Sequence, residues 1–446
     1  MKPWEYGVLK VSEDKRHFVN GDKPFFWLGD TAWLLLCGLT KEEMCEYLTN
    51  RAQKGYNVIQ VTISHKWPTE TVDGKKAFID DDMARPDLTP GGFWDTLDFA
   101  VKKAEELGLY MALLPCWGGR FKKGDLNLKN VEVYTAFLAD RYKDSPNIIW
   151  ITGGDIKGDK PNDLEEDGLE FWSKMGETLK KHNPDKLVTF HPFGRTTTSD
   201  FFPDSDWLDF YMFQSGHRRY DQGSLNQWDD SLSQGYFYGE DNWKYISRVD
   251  ACGNIKPVLD GEPSYEQIPQ GLHDSTQPFW QDIDVRRFAY WSVFSGCAGF
   301  TYGHNALMQF HKSRETVGAY GCTIPWYDAI HSPGSDNMSV MYKLMTSLPF
   351  ETGCAAQELL ADEPGEKHER ISVFKGKGFV LCYDYTGRDI YLKSSLLDPA
   401  LKSAWWIDPV TGVRSYIKAL DLKEDLHFVK PYGAHSHNDW LLLLTE

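Results

Sequence analysis

Short apolar runs alternate with amphipathic stretches over the first three quarters of the chain. The apolar runs are rich in β-branched and aromatic residues, as buried strands are, and they lie at residues 25–28, 57–63, 110–115, 148–151, 187–190, 210–213, 257–259 and 299–302. Between most of them, apolar residues recur at helical spacing, at residues 44–52, 94–107, 131–142, 169–181 and 285–294. This alternation predicts parallel strands that are joined by helices.

Local signals mark the ends of two of these helices. Thr40 and Glu43 have the spacing of a capping box, so a helix is predicted to begin there. Gly108 follows the pattern at 94–107 and is predicted to end that helix. Eight strands with intervening helices fit a closed (β/α)8 barrel. An open doubly wound sheet is the alternative, but it would normally carry a glycine-rich phosphate turn after its first strand, and this sequence has none.

The pattern changes after a predicted helix at residues 338–348. Strand-like runs then follow without a helical stretch between them, at residues 371–375, 378–383, 390–393, 403–407 and 440–444. We therefore predict a catalytic barrel at residues 1–350 and a small antiparallel β-sandwich at residues 351–446. His435 and His437 are predicted to lie in a surface loop of that sandwich.

Composition excludes several classes of protein. The chain has 446 residues, of which 41% are hydrophobic and 25% charged, and it has no apolar run long enough to span a bilayer. Its net charge of −17 disfavours binding to nucleic acid or to an anionic membrane, because its mean field repels phosphate. None of its eight cysteines lies in a CxxC pair, so zinc-binding and thioredoxin-like roles are not expected.

The start of the chain bears on its compartment. Residues 1–10 are polar and mixed, unlike a secretory leader. The predicted location is periplasmic or extracellular if a leader has been removed, and cytoplasmic otherwise. The pattern leaves the oligomeric state open.

The residues that follow the predicted strands are polar or aromatic, and (β/α)8 enzymes have their active site at these carboxyl ends. Asp155 follows the fourth strand and Glu262 the seventh, so their carboxyl groups can face each other across the barrel mouth. Glycoside hydrolysis needs such a pair, one to protonate the leaving oxygen and one to attack the anomeric carbon or activate water. The other strand ends supply candidate substrate-binding residues: Asp30, Trp33, His65, Trp67, Trp117, Arg120, His191, Gln214, His217, Tyr265, Tyr302 and His304.

Other roles compete with the catalytic ones. Asp155 follows two glycines, as a turn aspartate would, and Asp260 shares the face of Glu262 by strand alternation and competes for the nucleophile role. We favour Glu262 because it lies closer to the barrel mouth. The strand-end histidines suit a metal-dependent hydrolase, but the first strand lacks the HxH pair of such barrels, so no metal is expected. A non-catalytic glycan-binding protein is the other alternative, and it would not need both carboxyls.

Four segments resemble one family of glycosidases. Residues 25–33, FFWLGDTAW, resemble the opening strand of the apiosidase-like enzymes, glycoside hydrolase family 140. GGD at residues 153–155 and DGEP at residues 260–263 resemble that family's catalytic segments. WWIDPVTG at residues 405–412 resembles the family's small C-terminal domain, which is named for collagen binding. We infer no collagen binding from that name.

The resemblance implies a retaining glycosidase that needs no cofactor, with Asp155 as acid/base and Glu262 as nucleophile. An aspartate at position 155 departs from the Asn-Glu pair common in the wider clan but agrees with this family. The family acts on apiose linkages of the pectin rhamnogalacturonan II, so the implied partner is an oligo- or polysaccharide and the implied process is pectin degradation.

Pectin is polyanionic, so the net charge of −17 opposes its approach. Six cations follow the second, third and sixth strands on the expected active-site face: Lys66, Arg120, Lys122, Lys123, Arg218 and Arg219. We hypothesise that some of them bind galacturonate carboxylates. The alternative is that they are solvated surface charges.

Overall fold

A small sheet that precedes the barrel covers its amino end. The computed structural model describes residues 1–220, 237, 239–431 and 438–446. The small sheet is antiparallel and consists of β1 (Leu9–Val11), β2 (Phe18–Asn20) and β3 (Lys23–Phe25). Phe18 packs edge-on against Phe210 with ring centroids 5.2 Å apart, and the Asn20 amide donates to the Tyr110 hydroxyl at 2.6 Å. Strands of three residues are too short to show a periodic pattern, so the sequence did not predict this sheet.

Eight strands form the barrel, as predicted. They are β4 (Trp27–Thr31), β5 (Val58–Ser64), β6 (Tyr110–Cys116), β7 (Ile148–Ile156), β8 (Val188–Pro192), β9 (Tyr211–Phe213), β10 (Val258–Asp260) and β11 (Gly299–Tyr302). Six pair in parallel in the order β11-β4-β5-β6-β7-β8, and β9 pairs in parallel with β10. Two main-chain hydrogen bonds of 2.9 Å join these sheets, from the Asp209 N–H to the Val188 carbonyl and from the Ala298 N–H to the Val258 carbonyl.

The helices pack outside this ring and confirm the predicted alternation. They are α1 (Leu35–Gly38), α2 (Lys41–Gln53), α3 (Phe93–Leu107), α4 (Gly118–Lys122), α5 (Val131–Arg141), α6 (Gly168–His182), α7 (Lys244–Asp250), α8 (Asp282–Phe294), α9 (Asn305–Gln309), α10 (Trp326–Ala329) and α11 (Pro333–Thr346). The predicted helix ends are confirmed as well. Thr40 Oγ1 accepts from the Glu43 N–H, Glu43 Oε2 accepts from the Thr40 N–H, and Gly108 ends α3 at a φ of 77°.

The first barrel strand differs from the prediction. Phe25 belongs to β3, and β4 begins at Trp27 and continues to Thr31. Asp30 therefore lies inside a strand rather than beyond its end, and its pairing neighbour in β11 is Tyr302. A side chain in this position belongs to the barrel wall and not to the barrel mouth.

The C-terminal strands form an antiparallel domain, as predicted. They are β12 (Cys354–Ala355), β13 (Ile371–Gly376), β14 (Phe379–Asp384), β15 (Ile390–Leu392), β16 (Ser403–Ile407), β17 (Arg414–Ala419), β18 (Leu426–Phe428) and β19 (Trp440–Thr445). Six pair in the order β12-β13-β14-β19-β16-β17, and β15 pairs with β18. The predicted loop at residues 435–437 lies outside the described residues.

Strand alternation gives the larger C-terminal sheet two buried faces. Leu441 and Leu443 of β19 pack with the hydrophobic core of the barrel, whereas Leu442 and Leu444 pack in the core of the sandwich. The central strands of the sheet therefore pack one face against the barrel, whereas its edge strands β12 and β17 are largely exposed. The boundary between the two domains at residues 350–351 stays a prediction; α11 ends before it at Thr346, and β12 begins after it at Cys354.

Candidate active site

The loops that follow the barrel strands enclose a cavity of about 570 Å³ at the carboxyl end of the barrel. Eight of the fourteen predicted site residues line it: Trp33, His65, Trp117, Asp155, Gln214, His217, Glu262 and Tyr265. They come from the loops after six different strands. The fold thus brings both predicted catalytic carboxyls into one cavity.

A bulge at the end of β7 directs Asp155 into the cavity. The pairing of β7 with β8 shifts register after Gly153, so Gly154 and Asp155 leave the ladder. Gly153 and Gly154 have φ values of 88° and 106°, and a Cβ atom on Gly153 would lie 2.4 Å from the His191 carbonyl oxygen. Only glycine fits such a close approach, so the two glycines set the direction of the carboxyl that follows.

Two histidines hold Glu262, which lies just beyond β10. Nε2 of His217 lies 3.1 Å from Oε1, and Nε2 of His191 lies 3.1 Å from Oε2. The other ring nitrogens face backbone donors at 3.3 Å, since the Asp155 N–H donates to Nδ1 of His191 and the Tyr265 N–H to Nδ1 of His217. Because Nδ1 accepts, each neutral ring carries its proton on Nε2, next to Glu262.

The two carboxyls have opposite electrostatic environments. Burial by the surrounding protein and then the negative charge of Glu262 raise the pKa of Asp155 to about 6, although this side chain is exposed to the cavity. Burial also raises the pKa of Glu262, but the contacts from His191 and His217 outweigh it and lower that pKa to about 2. In mildly acidic solution one carboxyl therefore keeps its proton while the other is ionised, as an acid and a nucleophile must be.

Aromatic rings form one wall of the cavity. The ring centroids of Trp33 and Trp117 are 5.2 Å apart, and His65 lies 4.8 Å from Trp117. Trp33 Nε1 donates to the Tyr265 hydroxyl at 3.2 Å, which fixes the indole. Burial lowers the pKa of His65 to about 4, so this ring is neutral near pH 6. The wall offers flat faces for the C–H groups of a sugar and polar edges for its hydroxyls.

Two residues predicted to bind substrate are instead buried within the fold. The Tyr302 hydroxyl donates to Glu266 Oε2 at 2.6 Å. Nδ1 of His304 accepts from the Ala306 N–H at 3.0 Å and so caps α9. Both side chains are fully buried and neither lines the cavity. We therefore assign them structural roles, which corrects the prediction.

Three further predicted residues also lie outside the cavity lining. The Arg120 guanidinium lies 5.4 Å from the ring centroid of Trp67 and binds Asp125 at 2.9 Å, so these side chains pack on each other. His191 lies behind Glu262 with no exposed surface, where it contacts the carboxylate rather than the lumen. His191 is thus placed to orient Glu262, and Arg120 and Trp67 to shape the adjoining loop.

Asp30 is the remaining residue that the structure places elsewhere. Its Oδ2 lies 2.8 Å from Nε of Arg51 and accepts from the Tyr47 hydroxyl at 2.6 Å, and all three side chains are fully buried. A buried ion pair inside the barrel wall cannot reach a sugar. The predicted substrate contact of Asp30 is therefore replaced by a structural role.

We expect Asp30→Ala to lower the free energy of unfolding by about 3–5 kcal/mol, because Arg51 would be left as an unpaired buried charge. Urea unfolding followed by tryptophan fluorescence measures this loss. The double variant Asp30→Leu/Arg51→Met should recover much of it, since it removes both charges. Normal stability with a raised KM in Asp30→Ala would return this residue to the substrate site.

Asp260 does not share the cavity with Glu262. Its Oδ2 accepts from the Ser215 hydroxyl at 2.5 Å and lies 3.4 Å from the Ser292 hydroxyl of α8. Burial raises its pKa to about 7. The prediction that alternation places both carboxyls on one face is wrong, because β10 ends at Asp260 and alternation does not extend beyond it.

Several lining residues lie further along the loops and were not predicted: Leu34, Arg195, Ile268, Leu272, Met308 and Tyr320. Of the six predicted cations, Lys66 and Arg218 line the cavity and the other four do not. Tyr320 reaches it from the loop after α9, where the Asn305 amide donates to its carbonyl at 3.1 Å and its φ is 53°. No periodic pattern in the sequence marks such a residue.

The side chains and helices of the described ranges also bear on two questions of function, metal binding and membrane spanning. In residues 1–220, 237, 239–431 and 438–446, no three His, Cys, Asp or Glu side chains are grouped as metal ligands would be. No helix in the same ranges has the length and apolar character needed to cross a bilayer.

Comparisons with known proteins give a consistent result. Residues 12–352 match the family model described as "Apiosidase-like, catalytic domain", and residues 355–445 match "Putative collagen-binding domain of a collagenase". A solved structure titled "Glycoside hydrolase" is 39% identical, with a TM-score of 0.91 over 100% of this chain and 98% of that one. Among proteins with curated functions, none matches.

Two structures from Bacteroides vulgatus ATCC 8482 are also similar. One, titled as a glycoside hydrolase family 5 protein, is 38% identical, with a TM-score of 0.92 over 100% of this chain and 95% of that one. The other, titled "a putative glycoside hydrolase", is only 14% identical, with a TM-score of 0.66 over 99% of this chain and 82% of that one, and it supports the fold alone.

Proposed function

The chain belongs to the apiosidase-like family of glycoside hydrolases, and from this premise we propose that it is a retaining glycosidase of plant pectin. We further propose that it cleaves apiose linkages of rhamnogalacturonan II. The observation that carries the mechanism is the pair of cavity carboxyls with separated pKa values, about 6 for Asp155 and about 2 for Glu262. A protein that only binds glycans would need neither this pair nor its separation.

The proposed reaction is a double displacement. Ionised Glu262 attacks the anomeric carbon while the bond to the leaving oxygen breaks, and Asp155 gives its proton to that oxygen. Asp155, now ionised, then takes a proton from water as the water oxygen attacks the same carbon and releases Glu262. Two displacements on opposite faces restore the original configuration, and both residues regain their starting protonation states.

The cavity lining supports a polyanionic substrate despite the acidic chain. Lys66, Arg195 and Arg218 all line the cavity, so positive charge is concentrated where the substrate binds. A local cluster of this kind can attract galacturonate carboxylates within a Debye length, about 8–10 Å. Negative charges elsewhere on the protein lie further from the substrate, so salt screens most of their repulsion. The lining also includes apolar side chains, among them Leu34, Ile268 and Met308.

We expect the enzyme to release apiose-containing product from rhamnogalacturonan II oligosaccharides, with retention at the anomeric carbon. Proton NMR during the first minutes, before mutarotation, measures both release and configuration. Unbranched galacturonan oligosaccharides serve as the matched control, because they have the charge but lack the side-chain sugars. A product of inverted configuration would overturn the retaining mechanism. Cleavage of aryl glycosides without any release from rhamnogalacturonan II oligosaccharides would overturn the proposed substrate.

A further inference from the structure

One buried carboxylate joins three parts of the molecule. Oε1 of Glu240 lies 2.7 Å from Nε2 of His368, in the sandwich, and 3.0 Å from a terminal nitrogen of Arg287, in α8. Its Oε2 accepts from the Tyr220 N–H at 2.6 Å, and the Tyr220 hydroxyl donates back to the Glu240 carbonyl at 2.9 Å. Glu240 is only 3% exposed, so the carboxylate end of these contacts is shielded from water, whereas the His368 side chain is 46% exposed.

The chain that this carboxylate holds leads directly to the active site. Tyr220 lies three residues after His217, whose Nε2 contacts Glu262 at 3.1 Å, and two residues after Arg218, which lines the cavity. So short a stretch of backbone has little freedom once one end is fixed. The position of His217 is therefore linked to Glu240, and through Glu240 to His368 of the other domain.

Other contacts of the same sandwich segment strengthen this link. The Arg370 guanidinium lies 3.6 Å from the ring centroid of Trp243, which directly precedes α7. The rings of His368 and Tyr220 are 5.4 Å apart, and Nζ of Lys367 also lies 5.4 Å from the Tyr220 ring. Residues 367–370 thus hold the β9–α7 connection at both of its described ends.

We propose that the sandwich is a working part of the active site, in which His368 is a positioning residue that acts through Glu240 to orient His217 against the nucleophile. His368 touches neither the cavity nor the reacting atoms. Its effect on the reaction passes through the backbone at Tyr220. The kinetic part of this proposal rests on the glycosidase function proposed above, whereas the positional part does not.

The size of the effect follows from the geometry that the nucleophile requires. A misplacement of about 1 Å in an active site can cost roughly 100-fold in rate, and couplings through contiguous contacts are commonly worth about 2- to 30-fold. Loss of the imidazole leaves Glu240 still bound to Arg287, so the loop is loosened rather than released. We therefore expect an intermediate effect.

The test compares three variants of the full-length protein. His368→Ala should lower kcat about tenfold with little change in KM, because the disturbed contact is to the nucleophile. His368→Gln should recover most of the loss, since a glutamine amide can donate to Glu240 in place of Nε2. His427→Ala is the matched control, because it removes another sandwich histidine, which binds Asp389 at 2.9 Å on the exposed β15–β18 sheet.

Hydrogen–deuterium exchange on the same variants measures how readily the backbone of this loop opens, independently of catalysis. Amides of residues 214–220 should exchange faster in His368→Ala than in the wild type or His427→Ala. Unchanged exchange together with unchanged kcat in folded His368→Ala would overturn the proposal. Faster exchange in a protein that cleaves no glycoside would instead overturn the proposed function and leave the link between the domains intact.

Discussion

Replacing Glu262 by glutamine should lower kcat by roughly 10⁴- to 10⁶-fold on every substrate that the enzyme cleaves. The amide cannot attack the anomeric carbon, and no other described carboxyl in the cavity can take its place. Asp155 has a raised pKa and is the proposed acid, while Asp260 accepts from the Ser215 hydroxyl and lies outside the cavity lining. The rate is measured by sugar release, or by a chromogenic aryl glycoside where release is slow.

The variant should remain folded, with a stability loss of about 1–3 kcal/mol. The carboxylate of Glu262 accepts from His217 and lies 3.1 Å from Nε2 of His191, whereas glutamine offers one oxygen and one NH₂ group. The NH₂ group would then face Nε2 of either His191 or His217, which also carries a proton, so that contact would be lost. Thermal unfolding therefore separates this modest structural cost from the much larger catalytic one.

Two further variants make the assignment specific. Glu262→Ala should form a glycosyl azide of inverted configuration when azide is added, because azide then attacks the anomeric carbon in place of the carboxylate. Glu266→Gln is the matched control, since Glu266 lies outside the cavity and burial raises its pKa to about 7, so its neutral form is already populated. Equal losses in Glu262→Gln and Glu266→Gln would contradict the assignment of Glu262.

The barrel could be predicted because its buried strands appear as continuous apolar runs and its amphipathic helices as apolar residues three or four positions apart. β5 and β6 are buried along their whole length, and their seven-residue apolar runs were found with nearly correct bounds. β17 was missed for the opposite reason, since it is an edge strand with almost every residue exposed. An element is missed when its apolar residues do not recur at a regular spacing. This holds for β17 and for the three-residue strands at the start of the chain.

Predicted residues next to a strand end mostly line the cavity, whereas lining residues further along a loop were not predicted. Asp155 lies at the end of β7 and Glu262 two residues beyond β10, so chain position nearly fixes where they lie. Asp30 was misplaced because the predicted strand ended three residues too early, at residue 28 instead of Thr31, which moved Asp30 from the wall to the mouth. Tyr320 depends on tertiary hydrogen bonds from Asn305, which no local pattern encodes.

The substitution Asp155→Asn should lower kcat/KM for substrates with sugar leaving groups by about 10²- to 10⁴-fold, and it should also change the pH profile. In the wild type, the proposed mechanism requires Asp155 protonated and Glu262 ionised. The active form is therefore populated between about pH 2 and pH 6 and is lost as the pH rises through the pKa of Asp155. Above that value kcat/KM should fall about tenfold per pH unit in the wild type, and this limb should be absent in Asp155→Asn.

The leaving group distinguishes loss of the acid from general damage. A dinitrophenyl glycoside needs no proton to depart, so Asp155→Asn should still form the glycosyl-enzyme and show a burst of phenolate, followed by slow turnover because water is no longer activated. Azide should speed that turnover and give a product of retained configuration, the opposite of the product from Glu262→Ala. Asp159→Asn is the control, because this exposed carboxyl lies in the same loop and pairs with Lys160 at 3.8 Å. A uniform loss on all leaving groups, with the basic limb unchanged, would contradict the role of Asp155 and point to a different proton donor.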